Sequence, residues 1–353
     1  MEGLVSAADA LREYSGRRVL VTGHTGFKGS WLCLWLKRRG AEVSGFSDAI
    51  PTNPSHFEAL RLDMNDRRGD ICDPEAINAL IAEARPEIVF HFAAQSLVRK
   101  AYADPLATYR ANVLGTLAVL RAAQRNGVGS VIVATTDKVY RNDESGRRYK
   151  EDDELGGADP YSASKSCAEL ATRSFAESFV GDDSLKIATV RAGNVVGGGD
   201  WSEDRLVPDL MRAAFNGRTA IIRNPQSTRP WQHVLDVLSG YLQIGARLLA
   251  GDQAKLDSWN LGPHAASIRV KDLLDAAQAQ IPQLQVDFQP DESGRPESGL
   301  LQLDSTKAMT RLGWRPLWED QLLERTVDWY RAFYEQGREI SSDQLDAYEA
   351  ALA

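Results

Sequence analysis

Cysteine is scarce in this chain: Cys33, Cys72 and Cys167 are three in 353 residues, an odd set without CxxC spacing. That argues against a disulfide frame and a thiolate zinc site, and it reads as small packing side chains in a reducing compartment. Histidine is nearly as rare, with five scattered residues and no HExxH, so no metal site is expected. No apolar run approaches the roughly 20 residues of a membrane span, and the opening MEGLVSAADALREYSGRR lacks a basic segment followed by an apolar core. Positive charge is also short: 41 Lys plus Arg stand against 49 Asp plus Glu, a net charge of -8. That speaks against nucleic acid and an anionic membrane as partners, although an acidic chain still binds an anionic ligand where arginines cluster. A cytoplasmic enzyme is expected.

At 353 residues, with 43% apolar and 25% charged side chains, the chain has the size for one large domain and a smaller lobe. Apolar strand patterns at 18–22, 42–46, 88–92, 131–135 and 186–190 alternate with helical periods at 30–39, 74–84, 105–124 and 161–179. This alternation predicts an α/β fold, a doubly wound parallel sheet of Rossmann type with a smaller C-terminal α/β substrate lobe. The expected division is 1–190 plus about 233–263 for the first domain, and about 191–232 plus 264–353 for the lobe. The segment 141–159, polar and rich in turn formers, reads as a solvated loop.

The run RVLVT leads into GHTGFKGSWLCLWLKRRG, a buried strand, a glycine turn and an apolar helix. Gly23 allows the sharp turn, Gly26 lets backbone N–H groups approach a pyrophosphate, and Gly29 allows close helix–strand packing. The second strand ends Gly45-Phe46-Ser47-Asp48, so Ser47 stands where a ribose-binding carboxylate is usual. No arginine is there to receive a 2'-phosphate, which favours NAD over NADP. Phe92, Ala93 and Ala94 follow a central strand, where small residues let a cofactor lie against the backbone. Asn112, a poor helix former, is either a satisfied core polar residue or a support for the backbone near the site.

Further on, ATTDKVY places Thr136, Asp137 and Lys138 at a strand end, and PYSASKSCAEL supplies Tyr161 and Lys165 one helical turn apart. An ammonium beside a phenol favours phenolate and lowers its pKa, making Tyr161 a base near neutral pH. Past Arg191 come GNVVGGG and RNPQSTRPWQHV, irregular backbone of the kind that shapes a ligand site. Arg191 and Asn194 directly follow a strand end. Arg212 is a surface helix charge or a phosphate ligand; Arg229, wedged against Pro230 and Trp231, favours the ligand. Arg295 closes over a nucleotide or lies in solvent, and His233 reads as a packed structural residue.

The glycine loop with a downstream YxxxK resembles the extended branch of the short-chain dehydrogenase/reductase superfamily. VTGHTGFKGSWL, FHFAAQSLVR, TTDKVY, YSASKSCAE, RAGNVVGGGDW and RPWQHV, from about Arg17 to Trp329, resemble the nucleotide-sugar 4,6-dehydratases. Lys138 is characteristic of the branch that acts on CDP-glucose. The resemblance implies NAD held by Thr25, Phe27, Asp70, Ile71 and Thr135 besides the residues above, with Asp70 and Ile71 on the adenine. It implies a nucleotide-sugar substrate against Gln95, Ser96, Asn194, Val207, Arg212, Arg229 and Arg295. It also implies a homodimer or homotetramer, built on the helices that open at Pro105 and Tyr161. In the implied chemistry Tyr161 takes the proton of the sugar 4-hydroxyl while hydride leaves C4, with Thr136 on the same oxygen and Lys165 on the cofactor ribose. Lys138, neutral through burial beside other cations, removes the C5 proton; Asp137 protonates the departing 6-hydroxyl. A 4-epimerase or 4-ketoreductase, a dehydratase for another sugar nucleotide, and a non-catalytic NAD-binding protein are the competing readings.

Overall fold

A computed structural model describes residues 7–181, 184–251, 254–264, 267–289 and 301–352. Seven strands pair in parallel in the order Leu256–Leu261, Lys186–Ala192, Ser130–Ala134, Ile88–His91, Arg18–Thr22, Glu42–Ser47 and Asn65–Arg68. Because side chains alternate across a strand, RVLVT sends Val19 and Val21 into one apolar cluster and Leu20 into another. Val89 and Phe90, or Ile132 and Val133, divide the same way. Both faces of the sheet are therefore covered, as near-continuous apolar strands require.

Five strands and four helices were expected in this region; Arg18–Thr22 and Pro74–Ala84 have the expected bounds, and most of the others have shifted ends. The helix expected at 30–39 begins earlier, as Phe27–Arg38, and the strand expected at 131–135 is Ser130–Ala134. Asn65–Arg68 was not expected: its four residues, NDRR, are all exposed and carry no apolar period, so only pairing with Ser44 to Ser47 makes them a strand. Leu256–Leu261 returns to the sheet beside Lys186–Ala192, pairing through Trp259↔Val190. The helix expected at 105–124 is interrupted: Pro105–Tyr109 and Gly115–Arg125 flank a π-turn, Arg110–Leu114, that carries Asn112.

Two expectations are corrected. The 141–159 segment is not simply a solvated loop, since Arg148–Tyr149 pairs with Gln302–Leu303 and buries Val139, Tyr140, Tyr149, Leu301 and Leu303 together. Arg191 does not follow a strand end but lies within Lys186–Ala192. It is fully buried, with Nε and Nη2 each 2.9 Å from the Glu169 carboxylate and Nη1 2.7 Å from the Tyr140 hydroxyl. Its charge holds the sheet to the helix Pro160–Phe179. No described helix is long and apolar enough to cross a membrane.

Candidate active site

The strand order reverses between Arg18–Thr22 and Ile88–His91, and their C-terminal ends open into a cleft of about 1590 Å³. Gly23 begins it at φ +73°, where a Cβ would stand 2.6 Å from Ala93 N; a side chain is excluded both by conformation and by the neighbouring strand end. Gly29 is equally confined, but by the loop and not the strand: its Cβ would meet the Gly23 carbonyl at 2.2 Å. Gly26 lines the cleft and caps Phe27–Arg38 with no side-chain hydrogen bond, and the first turn holds no acidic residue. The helix N-terminus is thus left with N–H donors and positive potential for an anion, which fits a dinucleotide pyrophosphate.

Several predicted cofactor residues support this loop from behind. Thr25 is buried and donates to the Ala49 carbonyl at 2.7 Å. The Ser47 hydroxyl meets His24 Nδ1 at 2.9 Å and accepts from Thr25 N–H at 3.4 Å, so the site of the usual carboxylate is spent on holding the turn. Asp48 beside it is exposed. Asp70 and Ile71 line the far end, where Asp70 accepts from Cys72 N–H and pairs with Arg110 at 3.2 Å. Phe27, Phe92, Ala93, Ala94 and Thr135 line the middle. Thr135 donates to the buried Glu169 at 2.6 Å.

The reactive residues converge where Ser130–Ala134 ends. Thr136 caps a short 3-10 turn, Asp137–Val139, which breaks the alternation of the strand and brings neighbouring side chains to one side. Thr136 Oγ1 donates to Asp137 at 2.9 Å and also faces the Tyr161 phenol. Asp137 is buried, and desolvation raises its pKa against the pull of Lys138, Thr136 and Arg229. Lys138 lines the same cleft and is half-buried. Asp159 caps Pro160–Phe179 and fixes the helix that presents Tyr161 and Lys165.

The Tyr161–Lys165 pair differs from expectation. Burial pushes the phenol up to about 12, partly opposed by Thr136. Lys165, 6% exposed, donates instead to the Ala134 carbonyl at 3.0 Å, and burial together with Lys28 lowers it to about 7. A lysine one turn along is drawn to the strand-end carbonyl that closes the sheet, so the residue spacing alone does not set the phenol's pKa.

On the opposite wall, Asn112 in its π-turn accepts from Gln95 N–H at 2.9 Å and donates to the Gln95 carbonyl and to Ser164. It supports the backbone at the site, one of the two roles left open for it. The Gln95 amide itself is used locally, on Leu97 and Thr108. Ser96 is exposed and 3.4 Å from Arg205. Asn194, Val207 and Arg229 line the cleft, with Arg229 close enough to Asp137 to lower its pKa. Arg212 lines it too, but its guanidinium is committed to the Trp201 and Ser202 carbonyls and to Asp209. Arg295 lies outside the described residues. Within GNVVGGG the Gly198 carbonyl accepts from Trp31 at 2.9 Å, so the glycine run also serves packing.

Among the cations of the cleft that the motifs did not single out, two lie near the reactive groups. Lys28, beside the glycines, and Arg205, before the helix Leu206–Phe215, both line the cleft and act electrostatically on the Tyr161 and Asp137 groups' surroundings. Lys28 stands inside GFKG, between two glycines of the turn motif.

The chain belongs to the NAD dependent epimerase/dehydratase family, which matches residues 19–262. It is 44% identical over 330 residues to a CDP-glucose 4,6-dehydratase from Salmonella typhimurium, covering 91% of this chain and 92% of that protein. Among solved structures, DesIV, a dTDP-glucose 4,6-dehydratase from Streptomyces venezuelae with NAD and TYD bound, superposes with a TM-score of 0.78 at 25% identity, covering 91% of this chain and 100% of the other. The UDP-glucose 4-epimerase of Thermus thermophilus in complex with NAD gives 0.77 at 27% identity, covering 89% and 99%.

Proposed function

We propose that the chain is a hydro-lyase converting CDP-D-glucose to CDP-4-keto-6-deoxy-D-glucose and water, with NAD as a recycled cofactor. The observation that carries this reading is the Thr136-Asp137-Lys138 turn, opening into the same cleft as Tyr161 and Lys165. A 4-epimerase or 4-ketoreductase needs the tyrosine and lysine but has no use for an acid and a base beside them. The similarity to the Salmonella dehydratase supports the same choice.

NAD held in the glycine-loop cleft would supply the hydride chemistry, accepting hydride from C4 and giving it back at C6. Tyr161 then accepts the 4-hydroxyl proton, and Thr136 donates a hydrogen bond to that oxygen. Lys165, besides its bond to the Ala134 carbonyl, would hold the cofactor ribose. Lys138 takes the C5 proton acidified by the ketone. Asp137, whose raised pKa suits a proton donor, delivers a proton to the leaving 6-hydroxyl. Arg229 and Arg205 bind the substrate diphosphate, with Asn194 near the sugar; Arg212 is needed mainly by its own loop.

The substrate lobe comprises about 191–232 and 264–353, the rest forming the NAD domain. Leu106, Leu114, Leu170 and Phe179, exposed by 51% to 81% on the two helical segments, support a homodimer or homotetramer. The three free cysteines suit the cytoplasm. The test is incubation of purified protein with a panel of NDP-glucoses, following the 4-keto-6-deoxy product. Turnover of CDP-glucose is expected; interconversion of C4 epimers without water loss would overturn the assignment.

A further inference from the structure

The segment 200–205 runs from the GNVVGGG turn to the helix Leu206–Phe215, and every one of its residues lines the cleft. Its base is fixed. Asp200 and Trp201 are buried; the Asp200 carbonyl accepts from Tyr330, its carboxylate accepts from Ser202 N–H at 2.9 Å, and Trp201 donates to Tyr334 at 2.9 Å. Arg212 adds bonds to the Trp201 and Ser202 carbonyls. The tip differs. Glu203 and Asp204 are exposed, and Asp204 stands at φ +56°, in the left-handed region that aspartate and asparagine tolerate better than most side chains.

From that tip one carboxylate oxygen reaches two guanidinium groups. Asp204 Oδ1 lies 3.4 Å from Arg99 Nη1 and 3.8 Å from Arg223 Nη1. The two arginines stand on different sides of the cleft. Arg99 belongs to the helix Val98–Ala103, which packs on Pro105–Tyr109 and Pro160–Phe179. Arg223 directly follows the strand Thr219–Ile222, which packs on Leu206–Phe215 and pairs with Gln285–Phe288. Arg205 makes the same crossing as Asp204, donating to Ser96 at 3.4 Å, three positions before Arg99. A base pinned on one side of the cleft therefore carries a tip tied to the other side by exposed polar contacts. Arg99 and Asp204 are 42% and 40% exposed, and an ion pair that open to water is weak and easily broken.

We propose that 202–205 is a strap over the cleft mouth, latched by Asp204 to Arg99, and that its opening gates the passage of the nucleotide, a role that rests on the nucleotide-sugar reading of the cleft. The strap carries Arg205, so closing brings this cation over the cleft and opening withdraws it. Asp204 and Arg99 hold each other whether the cleft is empty or filled. The latch therefore sets how fast a nucleotide enters and leaves, more than how tightly it binds.

The test is the kinetics of CDP binding to the full chain in the presence of NAD, followed by stopped-flow tryptophan fluorescence, since Trp201 and Trp231 line the cleft. Asp204→Asn keeps the size and tolerates the left-handed backbone while removing the charge. It is expected to raise the association and dissociation rates together by about two- to fivefold, the scale of one exposed ion pair, with the dissociation constant within about twofold of wild type. Arg99→Gln breaks the same bridge from the opposite wall and should do likewise, although it removes a charge of the other sign. An association rate raised in Asp204→Asn but lowered in Arg99→Gln would mean that the two residues only steer an anion. Faster dissociation alone in Arg99→Gln would make that arginine a phosphate ligand. Either result, or unchanged rates in both variants, overturns the latch. Absence of CDP binding in wild type and variants alike would strike the nucleotide-sugar reading itself, and the latch with it.

Discussion

At the scale of single residues, the cleft separates groups by how burial acts on each charge. Burial disfavours the charged forms of Asp137 and Tyr161 and raises both, while the buried Lys165 ammonium is brought to about 7. The direction of the Asp137 shift favours the proton-donor role proposed for it. Lys138→Ala should leave oxidation at C4 intact and abolish elimination, seen as bound NADH formed in a single turnover without 4-keto-6-deoxy product. Normal dehydration by that variant would remove Lys138 from its role. Glu169 is a different case, fully committed to Arg191, Thr135 and Thr189. Glu169→Gln leaves the Arg191 guanidinium buried without its counter-charge and should cost about 3–5 kcal/mol in urea unfolding, with loss of activity following loss of fold.

Among elements, the π-turn Arg110–Leu114 is one that sequence periodicity misread. An apolar 3.6-residue period continues through it, and nothing in the pattern marks an inserted residue. Its partners are tertiary: from the bulge Asn112 reaches the Gln95 backbone and Ser164. Asn112→Ala removes three hydrogen bonds and should cost about 3 kcal/mol, and it should slow turnover by loosening the wall that carries Gln95. A Tm and kcat equal to wild type would show that the bulge persists without it. By contrast, Pro74–Ala84 was legible to the residue, because Asp73 caps it and Pro74 occupies its first turn. The strand Asn65–Arg68 was not legible, since pairing with a neighbour and not side-chain pattern creates it.

In the molecule as a whole, buried histidines tie distant segments together. His56 bridges Ser30 and Ser341, and His91 bridges Thr22 and Thr116. Burial holds His56, His91 and His233 down at about 3, well below the roughly 6.5 of an unfolded histidine. A depressed folded pKa means that the neutral form is the stable one: this stability is complete above pH 6.5 and is lost as pH falls toward 3. At pH 5 each residue should have given up about 2 kcal/mol. Asp236, raised to about 6 by burial, works in the opposite sense and offsets about 1 kcal/mol on acidification. The urea midpoint is therefore expected to drop between pH 7 and pH 5; a constant midpoint would show that these histidines titrate normally.

The chain alone determined the parallel sheet, the glycine turn and the helical offset between Tyr161 and Lys165, because these depend on local period and on backbone freedom at Gly23. Only the tertiary structure decided where each charge is spent: Lys165 on the Ala134 carbonyl, Ser47 on the glycine loop, Arg191 inside the sheet and Lys28 over Phe92. Desolvation and long-range partners set those outcomes, and both act between residues far apart in the chain.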